Sequence, residues 1–457
     1  MQKPSNPQGT RDFGPEIMRK REYILDTIKT VYKKYGFEPV ETPSLEKLEI
    51  LEGKYGEEGD KLLYKIRSNK ELAAEVTSEQ AEGLKKLLPG AWIAGESKLG
   101  LRYDLTVPFA RFVVQHRNDI TFPFRRYQIQ NVWRADRPQK GRFREFTQCD
   151  ADCIGSNSLL HEADLIQIYN EVFVGLGLPN AVLKVNHRKF LEALVDELKI
   201  DFPVGKFTST LDKLDKIGEH GVIKELTAYG IDEGKCKQLF AIIDNAELTI
   251  ENLSVFAKAF NNNSIAQNAI DDLAKVLTFL GDNKLNIRVE LDLSLARGLD
   301  YYTGCIFEAI VPDSGMGSVS GGGRYDDLAG VFGLKDVSGV GISFGIDRIY
   351  EIIEAAELWP DNLHTNQSIL LCHFDEASLV YAVKLASRLR KDGLQAIVFP
   401  DLKRINKQFD FANKIGVKYV LVVGDTEMST GNLTVKNLIK GEQQTLSYNE
   451  ALAYLKN

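Results

Sequence analysis

The sequence predicts an α+β fold: an antiparallel sheet interrupted by a mostly helical insertion, followed by a smaller C-terminal α/β domain. Three observations lead there. Residues 124–134 and 142–152 have strand texture and flank a loop with proline and glycine turn signals, which reads as a long antiparallel hairpin. Residues 188–280 switch to helical periodicity, with many lysines and acids and the polar stretch Asn261-Asn262-Asn263-Ser264. Residues 367–457 alternate short apolar strands with helices, the pattern of a partly parallel sheet.

The elements follow in order. Residues 16–35 repeat Ile17, Ile24, Ile28, Val31 and Tyr35 at helical spacing, and Gly36 stops the run. Residues 37–43 are extended, and Pro39 and Pro43 suit the edge of a sheet. Residues 44–61, rich in charge and glycine, read as a loop with short helices. Residues 101–107 read as a strand in which Arg102, Asp104 and Thr106 point one way. A helix over 161–175 and a strand over 181–187 lead into the helical insertion. Strand texture returns at 286–295, 305–311 and 338–344, with a glycine-rich turn at 320–326. Gly345-Ile346-Asp347-Arg348 opens a helix to about Leu358, and residues 359–362 read as a linker. The C-terminal domain reads as strand 368–373, helix 376–392, strand 395–399, helix 403–415 and strand 418–423. The boundaries expected are 1–360, with the insertion at about 188–280, and 367–457.

Composition narrows the function. With 44% hydrophobic and 26% charged residues, the 457-residue chain is neither disordered nor fibrous. No apolar run reaches the roughly 18–20 residues of a membrane helix, and the polar start shows no secretory signal. Five scattered cysteines fit a reducing cytoplasm. The net charge of −7 argues against blanket nucleic-acid binding. Residues 125–144, however, hold seven Lys or Arg against the single acid Asp136, a local anion site in an acidic chain.

Alternation places Arg126, Gln128, Gln130 and Arg134 on one face of the first hairpin strand, and Arg144, Gln148, Asp150 and Asp152 on one face of the second. Such a face is poor core material; it either meets solvent or recognises a polar ligand. Asp104 with Thr106 could bind an ammonium group. Arg297-Gly298-Leu299-Asp300-Tyr301-Tyr302-Thr303-Gly304 sets an arginine, an aspartate and two tyrosines between glycines. Arg348 stands in the first turn of a helix, where anions are favoured. Cys149 and Cys153 lack the further ligands of a zinc set. The Gly321–Gly323 run is no Walker A, no GxGxxG follows a strand, and no Ser–His–Asp arrangement stands out among six isolated histidines.

These residues carry a resemblance. The segment around Pro43, residues 127–148 with ADRPQKGRFREFTQ, and residues 341–349 resemble motifs 1, 2 and 3 of class II aminoacyl-tRNA synthetases. RGLDYYTG at 297–304 and SGGGRYDDL at 320–328 are similar to the two signatures of the histidyl-tRNA synthetase family, as PQGTRDFGP at 7–15 is to its N-terminus. The resemblance spans essentially the whole chain. It implies a class II catalytic domain with an acceptor-stem-side insertion and an anticodon-binding C-terminal domain, in a cytoplasmic homodimer. It also implies ATP-dependent attachment of L-histidine to its tRNA through histidyl-adenylate, using Mg²⁺ with ATP and no organic cofactor.

By the same resemblance, Arg134 and Arg297 stand at the ATP α-phosphate, with Arg297 the catalytic cation, and Arg348 stands at the γ-phosphate. Arg142 falls where ATP and the acceptor end meet. Asp104, Thr106 and Gln148 hold the α-amino group of histidine. Asp152 and Tyr302 read its imidazole nitrogens, and Tyr301 and Tyr325 line that pocket. No protein ligand to the metal is assigned. Asp104 and Asp152 stand where glutamate is frequent, and REFTQCD looks more like the eukaryotic and archaeal branch. The lysines and arginine at 403, 404, 407, 414 and 418 are expected to meet the anticodon. The competing family, the synthetase-like regulatory subunit of ATP phosphoribosyltransferase, usually lacks the anticodon-binding domain and loses the catalytic arginines. Here residues 367–457 and Arg134, Arg297 and Arg348 are all present.

Overall fold

The computed structural model describes residues 3–66, 98–200, 204–243, 246–260, 263–296, 302–326, 328–360, 363 and 366–456. The chain divides into two compact units: Met1–Gly14 with Arg21–Glu357, and Pro15–Lys20 with Leu358–Asn457.

Among the described residues, the main sheet of the first unit has nine strands: β1 (Glu38–Pro39), β2 (Phe124–Trp133), β3 (Glu145–Ile154), β4 (Val182–His187), β5 (Ala246–Glu247), β6 (Arg288–Leu291), β7 (Cys305–Ile310), β8 (Ser320–Tyr325) and β9 (Gly339–Gly345). Their order across the sheet is β1-β2-β3-β9-β8-β7-β4-β6-β5. From β2 to β4 every neighbour is antiparallel; β1 on β2 and β6 on β4 are parallel. Pro39 sits on the edge strand, where its missing N–H costs no ladder bond.

One face of this sheet is apolar and covered. Helix α1 (Pro15–Lys34) buries Ile24, Ile28, Val31 and Tyr32, and the Tyr32 hydroxyl donates to the Cys149 carbonyl at 2.7 Å. Helix α3 (Leu160–Gly175) brings Tyr169 and Phe173 edge-on to Phe344 of β9. These two helices leave the alternate residues of the central strands to the other face, where Phe109 of α2 (Thr106–Gln115) lies against Arg126. There Arg126, Asp152, Gly341 and Gly323 form one row across β2, β3, β9 and β8. Gln128, Asp150, Ser343 and Gly321 form the next row, and Gln130, Gln148 and Gly345 the third.

Two local expectations are corrected. Residues 320–326 are not a turn: Ser320–Tyr325 is the fifth strand in the sheet order. Both neighbours supply it with ladder bonds, which offset the weak strand preference of glycine. The strand at 101–107 ends at Leu101, and Thr106 opens α2. Arg102 instead turns inward and donates to the backbone carbonyls of Thr42 and Asn131 at 2.6 and 2.7 Å.

The segment 188–280 is mostly helical, with α4 (Arg188–Glu197), α5 (Val204–Leu211), α6 (Leu214–Ala228), α7 (Glu233–Ile242), α8 (Ile250–Ala259) and α9 (Ser264–Leu280). It also contributes β5 to the sheet edge. Helix α9 packs on α4 and on α3.

The second unit holds a five-stranded sheet, β10 (Asn366–His373), β11 (Ala396–Val398), β12 (Val417–Val423), β13 (Leu433–Asn437) and β14 (Glu442–Leu446), ordered β11-β10-β12-β13-β14. β10 is parallel to β11 and β12, and the remainder is antiparallel. Ile369–Cys372 of β10 is buried on both faces, which is why it reads as a short unbroken apolar run. Ile369 and Leu371 join the core under α11 (Glu376–Lys391) with Leu385 and Leu389; Leu370 and Cys372 join Ala412 of α12 (Ile405–Ile415) on the other side.

Candidate active site

The polar rows of the first sheet form the floor of the site. Glycine makes room on it. A Cβ on Gly341 would stand 2.0 Å from Asp152 Oδ1, and one on Gly323 would stand 2.8 Å from the Tyr302 ring. Side chains at these positions would fill the space above β3 and β8.

Asp152 is buried on this floor. It accepts from the Tyr325 hydroxyl at 2.6 Å and pairs with the Arg126 guanidinium at 2.7 Å. Burial still pushes its pKa up, against the pull of Arg126 and Tyr325. Its row neighbour Asp150 is pushed up to about 7, by burial first and then by the Asp152 charge, with Arg126 opposing. Arg126 is itself fully buried, its guanidinium 4.2 Å from the centre of the Phe109 ring of α2.

Asp104 lies in the turn before α2. Its Oδ1 accepts from the Tyr55 hydroxyl at 3.0 Å and from the Val107 backbone N–H at 3.2 Å. Burial raises its pKa to about 6. Thr106 follows two residues later as the first residue of α2. Gln148 donates to the Ser343 hydroxyl at 2.9 Å. Among the described residues, Asp104 Oδ2, Asp150 Oδ1, Gln128 Oε1 and Gln148 Oε1 are buried acceptors without a hydrogen-bond donor. Buried acceptors cost free energy until something donates to them. The floor therefore suits a ligand rich in N–H donors, preferably cationic.

The arginines border the floor. Arg134, at the end of β2, donates from Nε to the Tyr103 carbonyl at 3.1 Å and lies 4.2 Å from the Tyr103 ring centre and 5.1 Å from that of Phe146. Tyr103 also packs at a tilt against Tyr55, ring centres 4.4 Å apart, so Arg134 and the Asp104 turn are held together. Arg348, in the first turn of α10 (Ile346–Ala355), donates to the Gly141 carbonyl at 3.2 Å and to the Ser318 carbonyl. Gly141 belongs to the basic loop after β2. Arg142, next to it, is about half exposed and 3.7 Å from Asp136. Tyr302 lies over Gly323, and burial raises its pKa.

Of the residues expected from the sequence, Asp104, Gln148, Asp152, Tyr302 and Tyr325 converge on the floor, with Thr106 beside Asp104. Arg134, Arg142 and Arg348 lie at or beside the basic loop. Arg297 and Tyr301 lie outside the described residues. Arg126, Tyr55 and Asp150 belong to the site but were not singled out as site residues from the sequence. Alternation had already put Arg126 and Asp150 on the polar faces. Tyr55 had no signal, because it comes from the short helices and turns of residues 44–61.

A family model described as histidyl-tRNA synthetase matches residues 77–349. The chain belongs to the histidyl-tRNA synthetase family. A second model, described as an anticodon binding domain, matches residues 364–457. The histidine–tRNA ligase of Cytophaga hutchinsonii is 46% identical over 99% of each chain. Among solved structures, the histidyl-tRNA synthetase of Nostoc sp. PCC 7120 superposes with a TM-score of 0.83 at 29% identity, covering 99% of this chain and 98% of that one. A Bacillus halodurans protein described as an ATP phosphoribosyltransferase regulatory subunit/histidyl-tRNA synthetase has a TM-score of 0.71 at 20% identity, covering 92% of this chain and 98% of that one, a likeness of fold alone.

Proposed function

We infer that this chain joins L-histidine to its tRNA in two steps. The histidine carboxylate attacks the α-phosphorus of ATP in line; the bond to the bridging oxygen breaks and pyrophosphate leaves. The 2′- or 3′-hydroxyl of the terminal tRNA adenosine then attacks the acyl carbon of histidyl-adenylate, and AMP leaves. The carboxylate is already ionised at neutral pH, so the first step needs alignment and charge neutralisation rather than a general base.

The observation that carries this reading is the buried acceptor-rich floor beside three arginines. Histidine offers an ammonium group and a ring N–H, and the floor offers carboxylates that burial has left short of donors. Asp104, Thr106 and Gln148 receive the ammonium group. Asp152, held by Tyr325 and Arg126, accepts from one ring nitrogen, and Tyr302 meets the other. An amino acid without those donors leaves the floor unpaired, which supports discrimination of about 10⁴–10⁵. Arg134 and Arg297 neutralise the α-phosphate and Arg348 the γ-phosphate, while Arg142 meets the nucleotide and the acceptor end. Mg²⁺ enters as part of the nucleotide substrate.

The second unit is assigned to the anticodon. Phe374, Leu402, Lys403, Arg404, Ile405 and Asn406 line an open cavity of about 500 Å³ there. An exposed aromatic ring next to cations suits unstacked bases. The assignment of residues 1–360 to catalysis and 367–457 to tRNA recognition, the homodimer and the cytoplasmic location belong to the same reading. No helix among the described residues is long and apolar enough to cross a membrane.

ATP–pyrophosphate exchange with each of the twenty amino acids, followed by charging of histidine tRNA, tests the reading. Exchange with histidine alone is expected. Histidine binding without exchange would overturn it in favour of a regulatory relative.

A further inference from the structure

The N-terminal segment before α1 lies against the nucleotide side of the site. The Gly9 carbonyl accepts from the Arg144 backbone N–H at 2.9 Å, and the Gln8 carbonyl accepts from the Arg144 guanidinium at 3.5 Å. Gly9 has a φ of +82°, and a Cβ there would meet Arg144 Cγ at 2.8 Å and Pro138 Cγ at 3.0 Å. This close approach to both limbs of the basic loop requires glycine.

Two residues on, the Arg11 guanidinium lies 3.2 Å from the ring centre of Phe143, in the same loop, and pairs with Asp347. Asp347 is buried in the first turn of α10. It also pairs with Arg21 of α1 at 2.5 Å. Phe13 closes the cluster, its ring 4.9 Å from Arg11 and 4.2 Å from Arg21. Arg11 thus bridges Phe143 of the loop and Asp347 of the helix, next to Arg142 and Arg348 respectively. The loop is held from its other side by the Arg348 bond to the Gly141 carbonyl.

We propose that Gln8–Phe13 is a positioning strap for the nucleotide site, with Arg11 as its key residue. The strap joins the basic loop and the first turn of α10 into one unit, so that Arg142 and Arg348 meet the phosphates together. A planar, always-charged guanidinium is the side chain that can stack on Phe143 and pair with Asp347 at once. Arg11 touches no substrate; it acts through its neighbours. The proposal rests on the reading above for the identity of the nucleotide.

The test is Arg11→Met beside Arg11→Lys in the full chain, with ATP and histidine dependences of exchange measured separately. Arg11→Met is expected to raise KM for ATP about ten- to hundredfold, in line with the cost of small misplacements. KM for histidine should stay within about twofold, and Arg11→Lys should restore part of the ATP effect by keeping the ion pair. Equal changes in both KM values, or none in either, would overturn the strap. If Arg11→Met does not fold, Gly9→Ala asks the same question by lifting the strap off Arg144, and an unchanged KM for ATP overturns it. Calorimetric titration of MgATP into histidine-free protein separates the two readings: weaker ATP binding in the variant supports the strap even if wild-type exchange fails, whereas wild-type exchange with unaltered ATP binding in the variant refutes the strap alone.

Discussion

Tyr325→Phe removes one oxygen from the floor and tests how Asp152, the carboxylate proposed to read the imidazole, is held. The ring is retained, and it sits where a Cβ on Gly339 would otherwise stand, 2.3 Å from it, so packing is preserved. What goes is the 2.6 Å bond from the hydroxyl to Asp152 Oδ1, leaving Arg126 as the remaining partner at 2.7 Å. A buried hydrogen bond to a charged group contributes about 1.5–3 kcal/mol, so kcat/KM for histidine should fall by roughly 10- to 150-fold. The hydroxyl stabilises the ionised form of Asp152, so its loss raises that pKa further. If ionised Asp152 is what binds the ring N–H, the acidic limb of the kcat/KM profile must move to higher pH. Stability must follow the same sign. A carboxyl raised in the folded state binds more protons there than in the unfolded chain, so it destabilises as pH rises. The variant's loss of stability should therefore be largest at neutral and alkaline pH and shrink in acid. ATP–pyrophosphate exchange across a pH series, with urea melts alongside, reads both. A kcat/KM within twofold of wild type, with an unmoved acidic limb, would refute the role given to Asp152.

Three further outcomes are expected. Gly341→Ala places a methyl group 2.0 Å from Asp152 Oδ1 and 3.0 Å from the Ala151 carbonyl, so it should cost about 1–3 kcal/mol of stability and abolish histidine binding, measured by melting and calorimetry. Asp104 and Asp150, raised from 3.8 to about 6 and about 7, should make the histidine-free protein lose stability as pH rises from about 4 to about 7. Asp104→Asn should flatten part of that slope, and an unchanged slope would count against the burial argument. Arg297→Ala should lower the exchange rate by about 10²–10³ at near-normal stability, the usual loss for one preorganised charge donor; near wild-type turnover would remove Arg297 from the chemistry.

The strands Phe124–Trp133 and Glu145–Ile154 were legible because alternation is a local property: their polar faces show the rows in which Arg126 meets Asp152 and Gln130 meets Gln148. The buried run of β10 was legible for a related reason, since a strand covered on both faces needs no polar alternation. Alternation puts Asp104 on a strand, whereas it sits in the turn before α2, held by the Tyr55 hydroxyl from a segment 49 residues away. From spacing alone the glycines at 321–323 read as a turn. Glycine's weak local preference says nothing of the two flanking strands that hold Ser320–Tyr325 in the sheet.

The family and the reaction class were readable along the chain, because short local motifs such as RGLDYYTG and SGGGRYDDL carry them. Which polar groups meet is set by packing between distant parts of the chain. The Arg126–Asp152 pair, the Tyr55 bond to Asp104 and the Arg11–Asp347 strap join residues separated by 26, 49 and 336 positions. Packing brings such groups together, and burial then sets their protonation. Neither is encoded in local spacing.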